Sequence, residues 1–458
     1  MSADEAHSEK LYRHILGQLS CLGRHTVTGI LCSSGRQFCD WSADYRLYSE
    51  ERFCEDSIFD QVKDEVSSFL APDEPLIAAM DDSILRKRGR KIHGSKFQRD
   101  PLSPPFHTNL VLSQRFIQIS AGVPNADGSA DMIPVDFLHA PLPQKPRPKA
   151  PQIEWDEYER ARQKANINLY GAQRLEHFRN TVDQSRQIIM AVDGRFTNST
   201  LLEKFPENMT FIGRVRGDAH LLMPCHKRTG KKGRPRKYLS KAPTPKELLR
   251  DESVPWREVQ AFAAGEMRTF KLKTIAPLLW NATGSSMTLR LLVVAPVKYR
   301  LTKNSKLLRR EPAFLICSAP EMPVEKILQS YIWRWGIENN FRDEKTLLGV
   351  GQAQVRKQDS AQKAPALAVA AYSILLLSAL KAFRSENAPL SLPQPKWRSH
   401  QRPHRPSTAQ LINQLRVELW SSAMDLHILR DFLNSSHSVQ KPEILFSPLK
   451  SATFFTTQ

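Results

Sequence analysis

Tyr331-Ile-Trp-Arg334-Trp-Gly-Ile-Glu338-Asn-Asn-Phe-Arg342-Asp-Glu-Lys345 places a carboxylate among residues suited to gripping a phosphate backbone. On a helical wheel Tyr331, Arg334, Glu338 and Lys345 fall at about 0°, 300°, 340° and 320°, an arc of roughly 60°. All four are therefore predicted to project from one side of one helix. A solvated surface helix also carries charges at such spacings. Here, however, Ile332, Trp333, Trp335, Ile337 and Phe341 are interleaved with them, so most of the remaining circumference is predicted to be buried. A carboxylate flanked by cations on a half-buried helix reads as a site, provided partner carboxylates lie elsewhere in the chain.

Two upstream segments supply them. Pro75-Leu-Ile-Ala-Ala-Met80 is a short apolar run ending in Asp81-Asp82-Ser83, which reads as a buried strand presenting a carboxylate at its end. Gln187-Ile-Ile-Met-Ala-Val192 ends in Asp193-Gly194 and leads through Thr197-Asn198-Ser199 to Leu201-Leu202, a strand turning into a capped helix. Alone, each is an ordinary strand-end turn. The signal lies in the three together.

With these segments quoted, the chain closely resembles the DDE transposases of bacterial insertion sequences, the group marked by a Y-(2)-R-(3)-E-(6)-K signature. Tyr331, Arg334, Glu338 and Lys345 match that spacing without a gap, and the likeness runs from about residue 10 to 380, including the basic segment Leu85-Arg-Lys-Arg-Gly-Arg-Lys-Ile-His-Gly94. The family's first acid sits in a D-x-(T/S) segment. Ser83 stands where Thr is more usual, and the doublet leaves Asp81 and Asp82 both open, the spacing favouring Asp81.

The resemblance implies an α/β fold: a ribonuclease-H-like (retroviral-integrase-like) catalytic core with a β-rich insertion, plus helical N-terminal and C-terminal regions. Residues 1–72 are expected to form a helical DNA-binding domain, 73–350 the catalytic domain with its insertion at about 217–311, and 351–458 a helical region with a basic linker at 397–406. The implied function is a transposase that binds terminal inverted repeats, cleaves DNA at the element ends by Mg²⁺-dependent hydrolysis and transfers the 3′ ends to target DNA. Asp81, Asp193 and Glu338 would be the catalytic and metal-binding residues. Tyr331, Arg334 and Lys345, with Arg342 beside them, would hold the transposon-end backbone, Arg by bidentate bonds and Lys as a point charge. A homodimer on double-stranded DNA is expected, because ends must be paired for joining.

Three carboxylates suit this chemistry for a physical reason. A phosphodiester is anionic, so an attacking oxygen and a departing oxygen both need positive charge. Two divalent ions about 4 Å apart supply it. Mg²⁺ takes hard oxygen ligands and keeps waters, and Mn²⁺ is expected to substitute.

Between the second and third acids, Phe211–Arg216 reads as a strand, followed by the strand-like runs 267–275, 289–295 and 313–317. This is similar to the β-rich insertion some of these transposases carry. Pro323 sits where a helix begins. Trp280, in the insertion, is a candidate for stacking on a flipped base, as in some relatives, or a strand-anchoring aromatic. Lys231-Lys-Gly-Arg234-Pro-Arg236-Lys237 resembles short hooks that enter a narrow minor groove, with a flexible cationic loop as the alternative. Asn109–Gly122 reads as one or two strands with a turn or bulge at Gln114-Arg115. The proline-rich stretch from 134 to 151 reads as a surface connection, 153–185 as two charged helices, and 10–70 as helical.

Composition is consistent with this picture. In 458 residues, 66 Lys and Arg against 47 Asp and Glu leave a net charge of +19, and the pI is near 9.7. Such a balance predicts a polyanionic partner and binding that weakens with salt. The N-terminus lacks the basic start and apolar core of a secretory signal, so a cytoplasmic, nucleoid-associated protein is expected. The six cysteines are read as thiols, because Cys21, Cys32, Cys39 and Cys54 lack paired zinc-ligand spacing. The apolar run Ala366–Leu380 is shorter than the roughly 20 residues that span a bilayer and reads as a buried helix. Two other functions are compatible with the sequence. One is a catalytically silent DNA-binding descendant; the other is a metal-dependent nuclease without strand transfer.

Overall fold

The computed structural model describes residues 3–104, 106–143, 145–225, 238–281, 287–300, 305–384 and 405–420. The chain opens with four helices, α1 (Ala3–Ser20), α2 (Val27–Ser33), α3 (Ser42–Ser49) and α4 (Glu55–Ser68). In α4 the apolar spacing of three and four buries Phe59, Val62 and Val66. Strands β1 (Leu76–Arg86), β2 (Lys96–Arg99), β3 (Leu110–Pro124) and β4 (Ala130–His139) follow, then α5 (Gln152–Lys164), α6 (Ile167–Thr181), β5 (Ile188–Val192), α7 (Ser199–Leu202) and β6 (Met209–Arg214). The two charged helices predicted for 153–185 are α5 and α6.

Next come β7 (Leu221–Pro224), β8 (Tyr238–Lys241), α8 (Pro245–Arg250), β9 (Arg257–Ala263), β10 (Glu266–Trp280), β11 (Leu289–Val294), β12 (Val297–Tyr299), β13 (Leu308–Arg310) and β14 (Ala313–Cys317). The described chain closes with α9 (Val324–Trp333), α10 (Trp335–Thr346), α11 (Gln358–Arg384) and α12 (Thr408–Trp420). Arg234, Arg236 and most of the 397–406 segment lie outside the described residues.

One mixed sheet runs through these elements. β3 pairs antiparallel with β1 and β4, while β5 is parallel to both β1 and β6. Beyond β6 the sheet continues through β14, β11, β10, β7 and β8, so the predicted insertion extends the core sheet.

The alternation of side chains along the central strands sorts them onto two faces. Ile188, Met190 and Val192 of β5 pack with Ala78, Met80, Leu175 and Phe178 under α6. Ile189 packs with Ile212, Ile327 and Leu328 under α9, with Ile77 against it, and Ala79 packs with Ile337 of α10. β5 is buried along its whole length, which explains its unbroken apolar run. At Gly336 a Cβ would lie 2.3 Å from Met132 Cγ, so this glycine lets the first turn of α10 approach β4.

Four local predictions need correction. β1 does not end at the acid doublet: its antiparallel pairing with β3 continues to Arg86↔Ser113, whereas its parallel pairing with β5 stops at Met80↔Val192. β3 runs unbroken through Gln114-Arg115, and the register shift lies at Ile119/Ser120 against β4. The signature segment is two helices that meet at Arg334. Trp335, expected inside, is 52% exposed, while Asn340 and Glu344 are buried.

α11 is the one described helix long and apolar enough to cross a membrane, yet 61% of its most apolar window is buried within the protein. It packs against β4, α4 and α1, and its Ala366, Val369 and Tyr372 share a core with Leu19 and Phe59.

Candidate active site

The end of the β1–β5 pairing brings two acids together. Asp81 follows Met80 and Asp193 follows Val192, the last parallel pair. Both side chains continue the face of Ile77, Ala79 and Ile189, toward α9 and α10. Asp193 Oδ1 accepts hydrogen bonds from Arg195 N at 2.8 Å and Phe196 N at 3.3 Å, and Thr197 Oγ1 donates to Asp193 O at 2.8 Å. Asp81 Oδ1 accepts from Asp82 N at 2.8 Å. Burial, and then the charge of Asp193, push the Asp81 carboxyl up to about 7.

Asp82 takes the opposite face. Arg195 Nη1 donates to its two oxygens at 3.0 and 3.1 Å, and Arg115 Nε lies 3.5 Å from Oδ2. Burial raises its pKa, against the pull of these two guanidinium groups. Neither arginine had been singled out from the sequence. The period-two alternation of β1 was a legible signal that the doublet divides between faces.

The third acid arrives on α10. Arg334 Nη2 donates to Glu338 Oε1 at 3.1 Å and Arg334 Nη1 to Asp81 Oδ2 at 3.4 Å, so one guanidinium bridges the first and third acids. It lies 5.5 Å from the centre of the Tyr331 ring. Burial opposes its charge, but Tyr331, Asp81 and Glu338 together hold its pKa above the usual value.

Two open grooves meet at the Asp81–Asp193 pair. One, of about 1100 Å³, is lined by Tyr331, Arg334, Glu338, Trp280, Lys246 and Arg250. The other, of about 1210 Å³, is lined by Asp82, Arg195 and Lys345 among others. Lys345 Nζ donates to Ser83 Oγ, so Lys345 and the rest of the signature flank the acids from opposite sides. Arg342 lines neither groove and pairs with Asp343 at 3.0 Å.

A family model described as DDE superfamily endonuclease matches residues 4–276, more than half of the chain. The chain belongs to this superfamily. The match spans Asp81 and Asp193 and ends before Glu338. No curated protein matches the chain. Membership implies a nuclease acting on DNA, in a superfamily that generally uses divalent metal ions. The large mixed sheet with helices on both faces fits the ribonuclease-H-like nuclease fold.

The residues of this endonuclease suit such ions in kind. Asp81, Asp193 and Glu338 offer only hard oxygen donors, and the raised pKa of Asp81 reflects its burial first and then the like charge of Asp193, a charge that a cation would neutralise. Among the described residues, no three acidic, His or Cys side chains already converge on one point. The Arg334 guanidinium stands between Asp81 and Glu338.

Proposed function

We propose that this endonuclease is the transposase of a bacterial-type insertion sequence, with a ribonuclease-H-like core interrupted by the β7–β13 region and helical regions before and after it. The observation that carries the reading is the meeting of Asp81 and Asp193, at the ends of adjacent parallel strands, with a helix bearing Glu338 and Arg334. Asp81, Asp193 and Glu338 would hold two Mg²⁺ ions, with Asp82 kept out of the set by its two arginines. When bound, the ions would activate the attacking oxygen and neutralise the departing one.

The protein's own groups do the rest. Tyr331 and Arg334 line one groove and orient the backbone of the element end there, with Trp280 further along it. Lys345 meets the phosphate from the other side as a point charge. Cutting uses water, and joining uses the freed 3′-hydroxyl at the same acids. Two chains holding two ends would make the active complex a dimer on DNA.

Arg334 has two competing partners in this account, the acids and the DNA. Arg334→Ala removes a charge-assisted contact from Asp81 and Glu338, so Mn²⁺ is expected to bind the DNA-free protein about tenfold more tightly by titration calorimetry. The same variant should bind an end duplex less tightly, with a salt slope shallower by about 1. Unchanged or weaker Mn²⁺ binding would remove the bridge from the account.

Strand transfer separates a transposase from a simple nuclease. A pre-cut end duplex carrying a 3′-hydroxyl, incubated with Mg²⁺ and a supercoiled plasmid, should become covalently joined to the plasmid, while its 3′-deoxy counterpart should not. Cleavage of uncut ends without any joining would favour the nuclease.

A further inference from the structure

We propose that the groove on the Lys345 side of the acid pair, edged by Arg24, Arg88 and Arg99, seats the DNA strand that keeps the phosphate: the flank during cutting and the acceptor during joining. This rests on the transposase reading and adds to it a second nucleic-acid site.

The arginines come from three separate segments, the α1–α2 turn, the β1–β2 loop and β2, yet all line one groove of about 1210 Å³ that opens from Asp81 and Asp193. All three are exposed. Among the described residues none of them pairs with a carboxylate, whereas Arg86 in the same groove is held by Asp100 at 2.8 Å, and Arg115 and Arg195 are held by Asp82. Unpaired guanidinium groups around one channel are suited to phosphate oxygens, which they can bind bidentately.

Their placement is built into the fold. The loop after α10 turns at Gly349 and Gly351, whose φ values of 56° and 96° favour glycine. Gln352 Oε1 in that loop accepts from His25 N at 2.7 Å, next to Arg24, and Gln354 Oε1 accepts from Arg88 N at 3.0 Å. The buried Lys87 donates to Gly351 O and Ala353 O, each at 2.9 Å. The loop following the Glu338 helix therefore anchors two of the three arginine-bearing segments. Leu102, 84% exposed, stands on the same wall as an apolar lip beside the cations.

Phosphate chemistry assigns the occupant. In cutting, a water oxygen bonds to phosphorus, the bond from phosphorus to the element's 3′ oxygen breaks, and a proton ends on that oxygen as a 3′-hydroxyl. The phosphate stays on the flank. In joining, the element's 3′-hydroxyl oxygen bonds to the acceptor phosphorus, the acceptor's own 3′ oxygen leaves and takes a proton, and the phosphate stays with the strand on its 5′-oxygen side. Flank and acceptor thus extend from phosphorus in the same direction, away from the element end. With Tyr331, Arg334 and Trp280 in the opposite groove, the Arg24–Arg88–Arg99 groove is that direction.

The test uses the full chain with Arg24, Arg88 and Arg99 all changed to Glu, checked for folding by its melting temperature, with the double variant Arg88→Ala/Arg99→Ala as a milder second protein. Three substrates are compared at fixed salt: an end duplex without flank, the same end with a long flank, and a pre-cut end with a plasmid acceptor. The flankless duplex should bind as tightly as to the unmodified protein. The affinity added by the flank should vanish, joining should fall at least about tenfold, and the salt slope on flanked DNA should become shallower by about 3 for the triple variant and about 2 for the double. Equal weakening on flankless and flanked ends would overturn the assignment and place the element end in this groove. No change on any substrate would make it a solvated face. If the unmodified protein neither cut nor joined, the transposase reading itself would fail, a result distinct from either of these.

Discussion

Asp81→Asn is expected to reduce end cleavage by about 10³-fold or more, since losing several kcal/mol of transition-state stabilisation has that effect. The same variant should be more stable than the parent when no divalent ion is present. Burial and Asp193 raise the Asp81 carboxyl to about 7, so the folded chain holds a proton there that the unfolded chain has released. Stability is then lost as pH rises from about 4 toward 7, by up to ~4 kcal/mol, and Asn removes that loss. Adding Mn²⁺ should raise the melting temperature of the parent and leave the variant nearly unmoved. Asp82→Asn should behave differently. Its side chain faces Arg115 and Arg195 and not the other acids, so cleavage is expected to stay within about tenfold of the parent, and Mn²⁺ should still raise its melting temperature. Melting curves and cleavage assays on the two variants decide between the members of the doublet. If Asp82→Asn proved the inactive one, the face argument for β1 would be wrong.

Glu344→Gln is expected to stabilise the protein, with an effect that grows as pH rises. The Glu344 side chain is buried between α10 and β3, where Gln118 is its hydrogen-bonding neighbour and its Oε1 atom has no partner. Burial pushes its carboxyl up to about 8, against the pull of Gln118 and Lys345. A carboxyl raised in the folded state holds its proton there while the unfolded chain loses it above about 4.5. Its burden on stability is therefore absent at pH 4, grows through the window from about 4.5 to 8 and is complete above it. At pH 7 the difference is on the order of 3 kcal/mol. The amide carries no charge to desolvate, so thermal melts of Glu344→Gln should exceed the parent by roughly 3–6 °C at pH 7.5 and converge with it near pH 4.5. A variant that melts lower than the parent at every pH would mean that the carboxylate itself is needed at that position.

The residues that were legible in the sequence share a property: their signal is local. β5 is a short unbroken apolar run because it is covered on both faces, and β11 is one from Leu291 to Val294 for the same reason. The spacing of Tyr331, Arg334 and Glu338 survives the junction between α9 and α10, because Arg334 keeps helical dihedrals of −47° and −34°. Lys345 keeps to that side as well: it reaches Ser83, two residues beyond Asp81 on the same face of β1, but from further along α10, where it lines the second groove.

What was missed depends on contacts between distant segments. Arg115 and Arg195 gain meaning only when β3 and the turn after β5 converge on Asp82. Asn340 and Glu344 look like solvent-facing residues on a charged helix, but α10 buries them against β3, where Ser120 Oγ donates to Asn340 Oδ1 at 3.0 Å. The same holds for Gln352 and Gln354, whose role as anchors for the Arg24 and Arg88 segments is invisible before the chain is folded.

Asp81, Asp193 and Glu338 are proposed to form one metal-dependent site that cuts DNA at the ends of a mobile element. The most direct measurement is cleavage of a plasmid carrying the gene with its native flanks, with and without Mg²⁺, by the unmodified protein and by Glu338→Gln. Metal-dependent cuts at both element boundaries are expected, and they should vanish in the variant while duplex binding is retained. Boundary binding without cleavage by the folded, unmodified protein, in Mn²⁺ as well as Mg²⁺, would contradict the proposal and leave a DNA-binding protein in place of an enzyme.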